Sequence, residues 1–316
     1  MKILITGGAG FIGSHLAEAV LADGNEVLVI DNLSTGKREF VPAGAILLQM
    51  DVRDAAFVDA VIGQKPDLVY HLAAQISVAE STRDPRSDAA ANIDGTLAVL
   101  AATERAGARG LVNISTATVY AHDSKLPWHE ESRKGPLAPY AIAKLACEHY
   151  AHHYAVFHRL PTLTFRLSNV YGPRQNPLGE AGVIAIFLRQ MLLGEEVQIH
   201  GDGEQAKDFI FVADVVRALA SVAKEDFPQA ASYEERAVNL GSGEAHSVNE
   251  IFSQLRGLTG YRREAEHVAP RPADQPRMVL DAERARRWLG WKPEVKWEEG
   301  LSRTCEWFRK EGGAFG

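Results

Sequence analysis

Tyr140 and Lys144 stand four residues apart in the run Tyr140-Ala-Ile-Ala-Lys144. On a helix this spacing places both side chains on one face. An ammonium beside a phenol favours the phenolate. That lowers the tyrosine pKa toward neutrality and suits it to take a proton from an alcohol. Alone, the pair is more simply an incidental tyrosine and lysine on one helix. Upstream, Ser115-Thr116-Ala117-Thr118-Val119-Tyr120 closes an apolar run. Ligands of doubly wound sheets gather at the carboxyl ends of the strands, so a Thr116 hydroxyl there can hydrogen-bond a reacting alcohol. A hydroxyl-bearing strand end followed by Tyr-xxx-Lys is a much less accidental combination than either part.

A second constellation opens the chain. Thr6-Gly7-Gly8-Ala9-Gly10-Phe11-Ile12-Gly13 follows directly on the apolar residues 2–5, with Gly7, Gly10 and Gly13 at three-residue intervals. Glycine supplies the positive φ or bare backbone that a tight strand-to-helix turn needs. Missing side chains also let backbone N–H groups and a helix N-terminus approach a pyrophosphate. Further on, Val27-Leu28-Val29-Ile30 ends in Asp31. A carboxylate there accepts both ribose hydroxyls of NAD and repels the extra phosphate of NADP. A glycine triplet by itself is a weak signal. With the strand, the helix and the acid in place, it reads as an NAD site.

The elements that must position these groups are legible as alternation. Strand-like runs fall at 2–6, 26–31, 45–51, 67–73, 110–116 and 162–170, with helical patterns at 12–22, 55–62, 87–106 and 140–157 between them. A later strand at 237–241 follows a helix at 212–223. Near-continuous apolar strands alternating with helices predict an α/β fold: a doubly wound parallel (Rossmann) sheet of about seven strands, covered on both faces. Residues 171–207 and 242–316 hold more Pro, Gly and charge. They predict a smaller mixed α/β substrate domain, while 1–170, joined by 208–241, forms the cofactor domain.

Composition bounds the function. The 316 residues carry a net charge of −7 and a pI near 5.9, which argues against nucleic acid or an anionic membrane as partner. No apolar stretch is long enough to span a bilayer and the first residues do not form a signal peptide, so a cytoplasmic protein is expected. Cys147 and Cys305 offer neither a disulfide framework nor a metal cluster. His149 and His153 could clip a metal, but a solvated helix face is the simpler account and no metal is expected.

The chain resembles the extended short-chain dehydrogenase/reductase family, and within it the nucleotide-sugar 4-epimerases acting on UDP-glucose and UDP-galactose. The resemblance spans essentially the whole chain. It is carried by residues 6–13, Asp31-Asn-Leu-Ser-Thr-Gly36, Asp51-Val52, His71-Leu-Ala-Ala74, residues 115–120 and the Tyr140/Lys144 pair. It continues in Arg166-Leu-Ser-Asn-Val-Tyr-Gly-Pro-Arg-Gln175, residues 179–187, Gly201-Asp-Gly203, Asp208-Phe-Ile-Phe-Val212 and Arg271-Pro-Ala-Asp274.

What the resemblance implies can be placed on single residues. Thr116 matches the catalytic Ser/Thr, Tyr140 the base and Lys144 the ribose-binding lysine that lowers its pKa. Asp51 and Val52 match adenine contacts, Ala73 and Ala74 the wall near the nicotinamide, and Asn92 a support for that end. Phe11, Ile12, Asn32, Ser34, Thr35, Gly36, Leu72, Gln75 and Ser115 complete the cofactor set. Asn169, Val183, Lys207, Arg271 and Asp274 match substrate positions; a guanidinium suits a diphosphate because its charged fork is bidentate. The family also implies a homodimer through alanine-rich helices that pair across a two-fold. Four positions depart from the pattern: Lys207 replaces an arginine, His200 an aromatic residue and Ala273 a glycine, and Met278 stands where side-chain bulk governs whether an N-acetyl sugar fits.

Relatives that eliminate water carry acids just after the active-site threonine, whereas Ala117 and Thr118 follow Thr116 here. With no acid to protonate a leaving hydroxyl, dehydration is disfavoured. The expected reaction is inversion at carbon 4 of a UDP-hexose through a transient 4-keto sugar with retained NAD. Epimerisation of a UDP-N-acetylhexosamine or UDP-uronic acid, or a same-fold oxidoreductase that exchanges its cofactor, is the alternative. A non-catalytic NAD-binding protein would belong to another class.

Overall fold

A computed structural model describes residues 1–178, 182–224, 227, 232–270 and 275–311. The first half alternates as the apolar pattern predicts: β1 (Lys2–Thr6), α1 (Phe11–Ala22), β2 (Glu26–Asp31), β3 (Ile46–Gln49), α2 (Phe57–Gln64) and β4 (Leu68–His71). Then come α3 (Val78–Arg83), α4 (Pro85–Ala89), α5 (Gly95–Arg105), β5 (Leu111–Thr116), α6 (Pro139–Phe157) and β6 (Thr162–Leu167). The second half holds β7 (Asn169–Tyr171), α7 (Val183–Leu193), β8 (Gln198–His200), β9 (Ala206–Phe211), α8 (Val212–Ser221) and β10 (Ala237–Leu240). It ends with β11 (Ala245–Ser247), α9 (Val248–Thr259), β12 (Glu266–Val268), β13 (Arg277–Met278), α10 (Glu283–Leu289) and α11 (Trp297–Lys310).

Seven parallel strands lie in the order β10-β6-β5-β4-β1-β2-β3. Period-two alternation explains why they read as unbroken apolar runs. Ile3, Ile5 and Val29 pack on one face with Leu16 and Val20 of α1 and Leu219 of α8. Leu4, Leu28 and Ile30 pack on the other with Val61 of α2 and Leu100 of α5. Both faces of the central strands are buried, so their side chains are mostly apolar, and the polar ones among them need partners. The strand order reverses between β1 and β4, which opens a crevice at their carboxyl ends where ligands bind in doubly wound sheets.

The remaining strands form two small sheets. β9 is flanked by β11 and β13 and also pairs with β7, while β12 pairs with β8. The apolar core on the α1 side continues without a break to Phe209, Ile251 and Phe308, so the small sheets and the large one share a core.

The structure departs from the sequence pattern at two informative places. The run expected as one strand over 162–170 breaks at Ser168: β6 stays in the large sheet, and β7 moves to β9. Ser168 N–H bonds to Leu240 O at 2.9 Å at the crossing. The helix expected over 87–106 begins instead at Pro85, behind the N-cap Asp84, and contains a π turn at Ala90–Asp94. Such bulges are frequent at functional sites, and this one contains Asn92.

Candidate active site

The β1–α1 turn is built for an anionic ligand. Gly7 has φ +71°, and a Cβ there would lie 2.6 Å from Ala73 N. A Cβ on Gly13 would lie 2.2 Å from Gly7 O. These glycines let the turn close on itself and let the β4 loop lie against it. Gly10 is more forgiving: its Cβ would sit 3.3 Å from Gly7 O. It is the N-cap of α1 and no side chain caps the helix, so the first amides, those of Phe11, Ile12 and Gly13, lack a capping partner. A bare helix terminus beside close-packed backbone fits a pyrophosphate.

Asp31 ends β2, almost fully buried. Its Oδ2 accepts from Ala9 N at 2.9 Å and its Oδ1 from Leu33 N at 2.8 Å. Each carboxylate oxygen keeps a further lone pair for a ribose hydroxyl. Gly36 packs so closely that a Cβ would lie 3.0 Å from Asp31 Oδ1. Lys37 N bonds to Ala9 O, folding the Asn32, Ser34, Thr35 and Gly36 segment over the glycine turn. Asn32 Oδ1 accepts from Ser34 N, and its amide donates to Asp51 at 2.9 Å. Arg53 bonds both oxygens of Asp51 at 2.8 Å, which holds that carboxyl well below its usual range. Val52 is buried against Gly95.

Around the expected nicotinamide end, Leu72 N bonds to Thr6 O and Ala73 N to Thr6 Oγ1, fixing the segment that leads to Ala74 and Gln75. Asn92 ties this segment to the π turn. Its Oδ1 accepts from Gln75 N, and its amide donates to Gln75 O and Asp88 Oδ1. Asp88 is 2% exposed and its Oδ2 has no hydrogen-bond partner. Behind the loop His71 bridges Thr6 (2.8 Å) and Thr96 (3.1 Å), and burial pushes its pKa down to about 3.

Thr116 ends β5, and its Oγ1 accepts from Thr118 N at 3.2 Å. Tyr140 and Lys144 lie in the first two turns of α6, which starts on Pro139. Tyr140 remains partly exposed, and Lys144 is 5% exposed. The expected downward pull of Lys144 on the phenol is not met in the protein alone. Burial first, then the Asp88 carboxylate, push the Tyr140 phenol above its ordinary value. Burial likewise lowers the Lys144 pKa. Ser115 is buried and donates its hydroxyl to Glu148, so that hydroxyl is already engaged.

Of the substrate positions, Asn169 donates to Asp208 O at 3.0 Å. Val183 is the first residue of α7, whose N-cap Gly182 provides no side-chain cap. Lys207 lies on β9 opposite Met278 and bonds to Gln275 O. Met278 is buried with Val119, Tyr120 and Trp128, so its bulk fills the core beside the end of β5. Arg271 and Asp274, with Ala273, lie outside the described residues. His149 stacks on Tyr233 while His153 packs against Phe157, so the two rings are engaged separately. Among the described residues, no group of three or more His, Cys, Asp or Glu comes together as a metal site.

Sequence reasoning quoted Asp208 within a family motif but gave it no role. It is fully buried on β9 and accepts from Leu280 N, Ser242 N and Oγ, and Gly243 N. The same reasoning missed Glu148, whose signal was present: it stands one helical turn beyond Lys144.

The model of the NAD dependent epimerase/dehydratase family matches residues 3–241. The chain is 38% identical to the UDP-glucose 4-epimerase of Mycolicibacterium smegmatis, over 98% of this chain and 99% of that protein. The structure of a UDP-glucose 4-epimerase with UDP-glucose from Thermotoga maritima is 41% identical, with a TM-score of 0.93, covering 98% of this chain and 99% of the other. That of the Thermus thermophilus UDP-glucose 4-epimerase in complex with NAD is 38% identical, with a TM-score of 0.89 over 99% and 100%. With this family model over three quarters of the chain and these relatives along nearly all of it, the chain belongs to the NAD-dependent epimerase/dehydratase family.

Proposed function

We propose that the protein inverts carbon 4 of a UDP-hexose, interconverting UDP-galactose and UDP-glucose with NAD retained. What supports this reading is Thr116 at the carboxyl end of β5 with Tyr140 and Lys144 in the first turns of α6, and Ala117 and Thr118 where a dehydratase would place acids. Bound NAD would supply reversible hydride acceptance at carbon 4. Gly7, Gly10 and Gly13 and the α1 terminus hold its pyrophosphate, and Asp31 its ribose. Tyr140 takes the 4-hydroxyl proton, with Thr116 Oγ1 hydrogen-bonded to the same oxygen, and gives it back after the sugar turns about its diphosphate link. Neutral in the protein alone, Tyr140 needs added positive charge to ionise, which an oxidised nicotinamide bound beside it would supply.

The part at 1–170 with 208–241 holds the cofactor, and 171–207 with 242–316 holds the nucleotide sugar. Asn169, Lys207 and the α7 terminus at Val183 bind the diphosphate, Arg271 joins them, and Asp274 takes the hydroxyls of the uridine ribose. The protein acts as a homodimer, a reading supported by exposed Ile142, Tyr150, Val156 and Phe157 on α6. Two free buried cysteines support a cytoplasmic setting, and among the described residues no helix is long and apolar enough to cross a membrane. The test is to incubate UDP-galactose with purified protein without added NAD, followed by chromatography. UDP-glucose accumulating to a stable ratio is the expected result. Conversion of only N-acetyl or uronic substrates would move the assignment to that sugar, and net reduction of added NAD would replace it with an oxidoreductase.

A further inference from the structure

Tyr140, Lys144 and Glu148 follow one another a turn apart along α6, on one face. Glu148 is 2% exposed and its carboxylate is fully engaged. Arg166 Nε donates to Oε1 at 3.0 Å and Nη2 to Oε2 at 2.6 Å. Ser115 Oγ donates to Oε1, and Tyr233 Oη to Oε2. Burial would push the Glu148 carboxyl up, but Arg166 and the donated hydrogen bonds outweigh it and hold it below its ordinary value. Arg166, on β6 and 0% exposed, uses Nη1 for Tyr120 Oη (2.9 Å) and Glu130 O (3.0 Å). Tyr120 Oη in turn donates to Asn239 Oδ1 on β10 at 2.7 Å. One buried ion pair therefore joins α6 to β5, β6 and β10.

Stability is a poor reason for such a pair. Desolvation offsets most of the attraction, and apolar replacements are often neutral or better. Its location suggests another. Ser115 immediately precedes Thr116, and Glu148 lies two turns beyond Tyr140 on the same helix. The Ser115–Glu148 bond thus ties the strand end bearing one reacting hydroxyl to the helix bearing the other. Tyr233 covers the pair: it accepts from Arg166 Nη2 at 3.1 Å, and its ring stacks on His149 at 4.4 Å.

We propose that the Glu148–Arg166 pair, covered by Tyr233, is a positioning device that sets the spacing between the Thr116 hydroxyl and the Tyr140 phenol. The proposal rests on the roles given above to Thr116 and Tyr140. Glu148, Arg166 and Tyr233 act only through Ser115 and α6.

The experiment compares Glu148→Gln, Arg166→Lys and Tyr233→Phe with the parent enzyme, reading turnover per bound NAD, KM for UDP-galactose and Tm. Misplacement of reacting groups by about 1 Å costs on the order of 100-fold in rate. Glu148→Gln should therefore lower kcat per bound NAD by about that factor, and Tyr233→Phe by roughly tenfold, with KM nearly unchanged. Arg166→Lys keeps the charge but loses the fork, and should not retain parental turnover. The deuterium isotope effect on kcat from a 4-deuterated sugar should rise, because the misaligned hydride step becomes limiting. Should Glu148→Gln fail to fold, Tyr233→Phe, which keeps the ring and loses one hydroxyl, carries the test. Parental turnover per bound NAD in the folded variants, with only Tm lowered, would overturn the proposal. Tyr140→Phe run alongside separates the two readings: if that variant turns over normally, it is the role of Tyr140 that fails.

Discussion

Gly13→Ala and Gly63→Ala make the same chemical change with opposite expected outcomes. At Gly13 the added methyl would sit 2.2 Å from Gly7 O, 2.8 Å from Gly8 Cα and 2.9 Å from Gly7 C, all backbone. Ordinary contact begins near 3.4 Å, so the turn must open by roughly 1 Å, and no side chain can rotate away to absorb it. Overpacking of this kind costs about 1–3 kcal/mol. Because the strain falls on the segment proposed to face the pyrophosphate, NAD affinity should drop by roughly tenfold to 100-fold, at about 1.4 kcal/mol per decade. At Gly63, exposed inside α2, a Cβ meets nothing within 4 Å. There alanine should stabilise by about 0.4–1 kcal/mol by restricting the unfolded chain. Calorimetric titration of NAD into cofactor-stripped protein and thermal melts read both effects. Parental NAD affinity and Tm in Gly13→Ala would refute the idea that close backbone packing at this glycine builds the cofactor site.

Two further outcomes follow from the site. Tyr140→Phe should keep NAD bound and lower kcat by about 10²–10⁴, the scale of one positioned acid–base group; steady-state assays of variant with confirmed NAD content decide it. His71 supplies a pH dependence of stability. Its folded pKa of about 3 lies below the ordinary value of 6.5, so the unfolded chain binds the proton more readily. The stabilisation is whole above the ordinary value and erodes as pH falls toward 3, by about 1.4 kcal/mol per pH unit. Urea unfolding from pH 7 to pH 4 should therefore show a shallower slope in His71→Asn than in the parent, and equal slopes would show that His71 does not titrate on unfolding.

Much of this was legible because the large sheet is buried on both faces. Each of its strands stands out as an apolar run, and each helix between them shows its own period. The glycine turn was legible because backbone-to-backbone contact leaves only one residue type possible at Gly7 and Gly13. The break at Ser168 was not legible: Val170 is as apolar as Leu167, and local pattern does not say which sheet a strand joins. The π turn was hidden in an alanine-rich stretch that reads as continuous helix. β8, β11, β12 and β13 are too short to show a period. Arg166 was a missed signal of another kind. A charged residue inside an apolar strand is almost never fully buried without a partner, and its partner Glu148 stood on the expected catalytic helix. The Tyr140/Lys144 spacing predicted a shared face correctly, but the sign of the phenol's shift depends on burial and on Asp88, which only the folded chain brings near.

The central claim is that a hydride leaves carbon 4 and returns to the same sugar. The direct measurement mixes 4-deuterated UDP-galactose with uniformly ¹³C-labelled, undeuterated UDP-galactose and follows the UDP-glucose formed by mass spectrometry. The account predicts product in which deuterium stays at carbon 4 of the unlabelled-carbon molecules, with none on the ¹³C molecules. Deuterium crossing to the ¹³C sugar, or washing out to solvent, would contradict it.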